Sequence, residues 1–219
     1  MSLTIVTHYL PTETADYQKL ADLTLPNRDE YCKAHGYHHL VHKGPHHDPA
    51  WYYGFQRLKL IRDAMDHEGA TEFYWMLNMS GLITNMRKRV EARTDNEHDL
   101  WMCKDVHGIN WGSAVLRNTQ WSRDWLDFLC ALEPLYRSHS WHDQKAIQDW
   151  WLHERWTHKI SLLPQRQLQS FRYTLYPPWS DKTPGHWRFG DLCIQFPGVT
   201  LEDRIKHVTE MLTDGSILR

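Results

Sequence analysis

Histidine is the first residue type in this chain that could do chemistry: there are 16 among 219 residues. His35, His38, His39, His42, His46 and His47 are concentrated in one stretch. A neutral imidazole can ligate a metal or act as a base near neutral pH. These spacings do not match a structural zinc site, and no cysteine stands at ligand spacing. The run reads as a polar loop, and no metal is expected there. Cys32, Cys103, Cys130 and Cys193 form no Cys-x-x-Cys pair, which suits buried, reduced thiols of an intracellular protein. The 12 tryptophans are the second surplus. Trp51, Trp111, Trp141, Trp179 and Trp187 lie in or beside predicted loops, where an indole can stack on a ligand. Trp121, Trp125 and Trp150 have helical spacing and read as core or half-core.

These side chains need a scaffold, and the rest of the sequence describes one. The length suits one domain, residues 1–219, with a full core. Hydrophobic content of 41% and charged content of 24% exclude a disordered or fibrous chain. No stretch approaches a membrane span, and the N-terminal segment lacks the pattern of a signal peptide. A net charge of -2 gives no footprint for non-specific nucleic-acid binding, although a local patch is compatible with it.

Leu3–Thr7, Tyr37–Val41, Glu72–Leu77, Leu100–Cys103, Ser113–Leu116, Lys159–Leu163 and Leu192–Phe196 read as strands. A helix follows the first strand and stops at Gly36. Further helices are predicted over Trp51–Met65, Trp121–Leu132, Gln144–Leu152 and Leu201–Leu212. Pro177–Gly190 reads as a long loop. Strands alternating with helices indicate an α/β domain with a mostly parallel sheet. A ligand then sits beyond the carboxyl ends of the strands, at Thr7–Tyr9, Asn78–Ser80, Asp105 and Gln195–Gly198.

The order of several motifs resembles a known family. They are Asn27-Arg28-x-x-Tyr31-Cys32-x-x-His35-Gly36-Tyr37, Tyr74-Trp75-Met76-Leu77-Asn78-Met79-Ser80, Asp105 through Ser113, Trp141-x-Asp143-Gln144, and Gly190-Asp191-Leu192-Cys193-Ile194-Gln195-Phe196-Pro197-Gly198. In this order, from about Asn27 to Leu212, they resemble the galactosyl/mannosyltransferase family of fungal Golgi mannosyl- and galactosyltransferases and plant xyloglucan xylosyltransferases. That resemblance implies a GT-A fold, a nucleotide-sugar donor and retention of anomeric configuration. It implies that Gln144 lies under the donor sugar and that Asp143 binds sugar hydroxyls; Asp143 could equally cap a helix. Gln is a poor nucleophile, so front-face return suits it better than a covalent intermediate. Asn110-x-Gly112 resembles the turn that sets backbone against the donor sugar, and Asp105 could bind its hydroxyls. Thr7, His8 and Tyr9 would hold base and ribose. Tyr31, His35 and Arg28 read as structural.

The departures from the family carry as much information. The family's Asp-x-Asp metal ligands are here Asn78 and Ser80, and its late His ligand is Gln195. Hard divalent cations favour anionic oxygen ligands, so three neutral replacements indicate an abandoned metal site. No cofactor or metal is expected. A positive group must then meet the charge that develops on the leaving diphosphate. Lys182 and Arg188, beside His186, are candidates, as are Arg57 and Lys59; the plain alternative makes Lys182 and Arg188 solvated loop charges. The expectation is a metal-independent, retaining glycosyltransferase acting on a glycan or on a modified base in phage DNA. Family members carry a membrane anchor and stem, whereas this sequence starts at the first strand, which suggests a cytoplasmic bacterial or viral enzyme. A catalytically degenerate sugar- or nucleotide-binding protein of the same fold is the alternative.

Overall fold

The computed structural model describes residues 1–10, 17–172 and 183–219, so Lys182 and Trp179 lie outside the described residues. Strand β1 (Leu3–Tyr9) is buried along its whole length. It pairs in parallel with β2 (His38–Lys43) on one side and β3 (Phe73–Leu77) on the other. A central parallel strand is covered on both faces, which is why its sequence is apolar and β-branched with little polar alternation. Val6 packs with Phe55, Tyr74 and Met76 on one face. Leu3 and Ile5 pack with Tyr31, Phe73 and Trp75 on the other. Helix α1 (Tyr17–His35) joins β1 to β2 and ends at Gly36, whose φ of +71° is the left-handed conformation that closes helices. Helix α2 (Tyr53–Asp66) joins β2 to β3.

Beyond β3 come β4 (Leu82–Ile83), β5 (Leu100–Asp105), β6 (Gly108–Arg117) and β7 (Ile160–Leu163). The main sheet has six strands in the order β2-β1-β3-β6-β5-β7. Only β6 runs against its neighbours; the other pairings are parallel. The mixed sheet is thus mostly parallel. Because β6 is reversed, its first residues lie at the edge where β1, β3 and β5 end.

Two expectations need correction here. The strand read over Ser113–Leu116 is ten residues long, and Asn110–Gly112, read as a turn, lies inside it. Its register on β5 jumps from Met102↔Ala114 to Cys103↔Asn110, leaving Trp111, Gly112 and Ser113 without partners on that side. The strand read over Leu192–Phe196 is only β8 (Cys193–Ile194), paired with β4 in a separate two-stranded sheet. The apolar run continues because Leu192 and Phe196 are core residues, not because they extend a ladder.

Helices α3 (Gln120–Ala131), α4 (Glu133–Tyr136), α5 (His142–Trp150) and α6 (Glu154–Thr157) complete the face that α2 begins. Helix α7 (Leu201–Thr213) packs with α1 through Leu20, Val208 and Met211. Thr119 and Thr200 cap α3 and α7, each accepting a backbone N–H two or three residues into the helix. Trp75, Trp101, Trp111 and Trp125 are wholly buried, so the indole of Trp111 is core and not a free stacking surface. All four cysteines are free and buried; burial pushes the thiols of Cys32, Cys103 and Cys130 up to about 12. Among the described residues no helix is long and apolar enough to cross a membrane.

Candidate functional site

The segment after β3 is where a parallel strand opens toward a ligand, and Arg28 of α1 holds it in shape. Its guanidinium donates to the carbonyls of Leu77, Asn78, Met79 and Gly81 and to the Thr7 hydroxyl. Turn carbonyls at a buried strand end have no ladder partner, and one guanidinium can satisfy several of them. Arg28 is wholly buried, which lowers its pKa to about 10. Its role is to position the Asn78–Gly81 segment.

Asn78 is fixed from three sides. Its N–H donates to the Gly112 carbonyl at 2.8 Å, its own carbonyl accepts from Arg28, and its Oδ1 accepts from Arg57 of α2. Arg57 also donates from Nη2 to Asp143 Oδ2 at 3.2 Å, and both side chains are buried. Asp143 lies in the first turn of α5 without making a side-chain cap, so the capping alternative is not realised. Its immediate neighbour His142 has φ +37°, and the His142 ring stacks on Tyr52. A positive φ in a non-glycine residue is a strained conformation that surrounding contacts must impose. Gln144 accepts from the Trp111 N–H at 3.4 Å.

Two glycines permit this packing. A Cβ on Gly54 would stand 2.1 Å from Asp143 Oδ1, and one on Gly112 would stand 2.1 Å from Gln195 Oε1. Each would displace a polar group of the site.

Tyr52, Tyr53, Gly54, Arg57, Asn78, Gly112, Trp141, Asp143 and Gln144 line a cavity of about 240 Å³. It adjoins a second, of about 470 Å³, through Tyr52, Tyr53 and Asn78. Tyr9, Tyr17, Ser80, Pro197, Gly198 and Arg204 complete the second wall. The cleft therefore runs from the end of β1, past β3, to α5.

Several expected residues do not reach it. Thr7 is buried against Arg28 and His39. His8 is 1% exposed, bonds the Gly44 carbonyl through Nε2, and has its pKa lowered to about 4, chiefly by burial. Asp105 closes the β5–β6 turn, accepting from the His107 N–H and from Asn110 Nδ2, both at 2.7 Å. It faces a separate cavity of about 710 Å³ beside Lys104 and Gln165. Asn110 is a buried support whose Oδ1 accepts from the Gly112 N–H at 2.8 Å. Arg188 is exposed and lines neither part of the cleft. Lys59 pairs with Asp63. Sequence reasoning missed Tyr52, Tyr53, Gly54 and Arg204, none of which carries a local signal.

The metal implied by the family's Asp-x-Asp motif can be tested against these donors. Asn78 Oδ1 is spent on Arg57. Gln195 is 1% exposed, and its Nε2, a hydrogen-bond donor, is buried without a partner among the described residues. Among the described residues no three His, Cys, Asp or Glu side chains converge as ligands. The residues present do not suit a hard divalent cation.

Comparison with known proteins agrees with this architecture. The curated relatives include a probable xyloglucan 6-xylosyltransferase of Arabidopsis thaliana, 27% identical over 124 residues, which are 51% of this chain and 26% of the relative. A probable glycosyltransferase of Oryza sativa subsp. indica is 24% identical over 174 residues, covering 72% of this chain and 36% of that one. The chain thus spans about a quarter to a third of these relatives. Among solved structures, a glycosyltransferase involved in glycosylation of the major capsid of PBCV-1 superposes with a TM-score of 0.74 at 18% identity, covering 95% of this chain and 99% of that one. The galactosyltransferase LgtC in complex with donor and acceptor sugar analogues gives 0.59 at 11% identity, with 96% of each chain covered. These structures share the GT-A fold. The sequence profile of one family matches residues 3–94 and 90–206, and the chain belongs to that family, the galactosyl transferase GMA12/MNN10 family.

Proposed function

We propose that the protein transfers a sugar from a nucleoside-diphosphate sugar to an acceptor hydroxyl or amine, with retention of configuration and without a divalent metal. The observation that carries this reading is the shared cavity of Asp143, Gln144, Arg57 and Gly112. It combines a carboxylate for sugar hydroxyls, an amide for the reacting face and a glycine that lets backbone come close. In this reading the bond from the anomeric carbon to the diphosphate oxygen breaks and a bond to the acceptor forms on the same face. The acceptor proton passes to the departing phosphate oxygen. Gln144 offers its amide oxygen to the electron-poor sugar without forming a covalent bond. The Arg57–Asn78 contact and a Gln195 Nε2 without a partner among the described residues support the absence of a metal step.

A glycan is the proposed acceptor, in keeping with the sugar acceptors and the capsid glycosylation named for the similar structures. A modified DNA base is the second acceptor to assay. A catalytically degenerate sugar-binding protein would keep Asp143 for sugar hydroxyls as well, so turnover of a bound nucleotide-sugar is what separates the two readings. Screening nucleotide-sugars by thermal shift identifies the donor, since a ligand of the native state raises apparent stability by mass action. NMR of the product then reads the configuration. Inversion at the anomeric carbon overturns the retaining assignment, and no stabilisation by any nucleotide-sugar overturns the donor.

A further inference from the structure

A diphosphate bound without a metal needs a cation of its own, and few side chains are free to supply it. Arg28 is wholly buried and spent on turn carbonyls and Thr7. Arg57 is spent on Asn78 and Asp143. Arg188 does not line the cleft. Among the described residues, Arg204 is the remaining cation of the cleft wall.

We propose that Arg204 is the diphosphate-binding residue of this protein, taking over, with the Ser80 hydroxyl, the place that metal chemistry holds elsewhere in the family. The inference rests on the donor reading above and deepens it. Arg204 stands one turn into α7, just after the Gln195–Gly198 segment. Its Nε donates to the Phe196 carbonyl at 3.2 Å, which anchors the guanidinium. Among the described residues, both terminal nitrogens are left without a partner and Arg204 joins no ion pair. The same cavity wall carries Ser80, Pro197 and Gly198, and Gly198 has φ +70°.

A guanidinium held by one edge presents the other as a flat pair of donors, the geometry that suits phosphate oxygens. The neutral residues at Asn78 and Ser80 then make physical sense together. A carboxylate at position 80, in the same cavity wall as Arg204, would repel the diphosphate in the absence of a metal. A hydroxyl does not and can donate to a phosphate oxygen. The neutral residues at Asn78 and Ser80 and the guanidinium of Arg204 thus suit one ligand, a diphosphate.

The test is equilibrium binding in EDTA, by calorimetry, of uridine and guanosine diphosphates, the matching nucleosides and inorganic pyrophosphate. Wild type, Arg204→Ala, Arg204→Lys and the exposed α7 control Lys206→Ala are compared, each checked for an unchanged melting profile. The expected result is a loss of about 10- to 100-fold in diphosphate affinity for Arg204→Ala. Nucleoside affinity stays within about twofold, Arg204→Lys is intermediate, and Lys206→Ala matches wild type. Wild-type affinity of Arg204→Ala for the diphosphates in EDTA overturns the role of Arg204 and leaves the donor reading standing. Binding by wild type only when Mn²⁺ is added overturns both this role and the metal-free reading. Should Arg204→Ala fail to fold, Arg204→Lys decides: diphosphate affinity equal to wild type with nucleoside affinity reduced overturns the proposal.

Discussion

Arg57 donates to Asp143 across 3.2 Å, and the pair joins α2 to α5 at the floor of the cleft. A buried ion pair is costly to break from one side, because the remaining charge is left desolvated. Asp143→Ala should therefore remove sugar transfer and also lower stability. Asp143→Asn keeps the shape and one acceptor oxygen, so it should restore much of the stability without restoring turnover. Urea denaturation and product formation, measured on both variants, separate the two effects. Equal activity of Asp143→Asn and wild type would remove Asp143 from the sugar site.

Gly54 is the most economical probe of that geometry. Its missing Cβ leaves the space that Asp143 Oδ1 occupies. Gly54→Ala places a methyl group there at a helical position where alanine is otherwise favoured. The expected outcome is about a 100-fold loss in kcat, as a misplaced catalytic group costs, with helix content retained. Unchanged kcat with normal folding would show that the carboxylate position is not critical.

Arg28 offers a contrasting case. It lies behind the cleft and holds four successive or nearby carbonyls of the segment carrying Asn78 and Ser80. Removing it strands buried acceptors, so Arg28→Ala should cost about 3 kcal/mol or more in urea denaturation. Arg28→Lys should recover only part of that, because one ammonium cannot reach all of the carbonyls.

The protein should also lose stability on mild acidification. Burial lowers the His8 pKa from 6.5 to about 4, so the folded state resists a proton that the unfolded chain accepts. This contribution is fully retained above pH 6.5 and is lost as the pH falls toward 4, amounting to about 3 kcal/mol. His39 is shifted in the same direction by burial. Urea midpoints at pH 7 and pH 5 should show the decline, and His8→Asn should flatten it. An identical slope in the variant would assign the decline to other groups.

The strands and helices that sequence displays best are those with one dominant local cause. The β-branched run of β1, the helical period of α1 and α2, and the terminating Gly36 are of this kind. β6 was legible only in part, since it is covered on both sides and interrupted by Gly112 at a register shift. The motif positions at Asn78, Ser80, Gly112, Asp143, Gln144 and Gly198 all come to the cleft wall. What remained hidden depends on contacts distant along the chain. Gly54 has no signature in its own helix, and Arg204 looks like any polar helix residue until α7 is folded against the end of β8. His8 looked like a ligand-binding residue because it follows a strand, yet its ring points into a polar contact with Gly44.

Sugar transfer without a divalent metal is read most directly from the release of diphosphate under chelation. Release of nucleoside diphosphate from the matching nucleotide-sugar is followed in excess EDTA, then with added Mn²⁺, for wild type and for Gln144→Ala. Equal wild-type rates are expected in the two conditions, with a fall of about 100-fold or more in Gln144→Ala. An absolute requirement for Mn²⁺, or a Gln144→Ala rate equal to wild type, would contradict it.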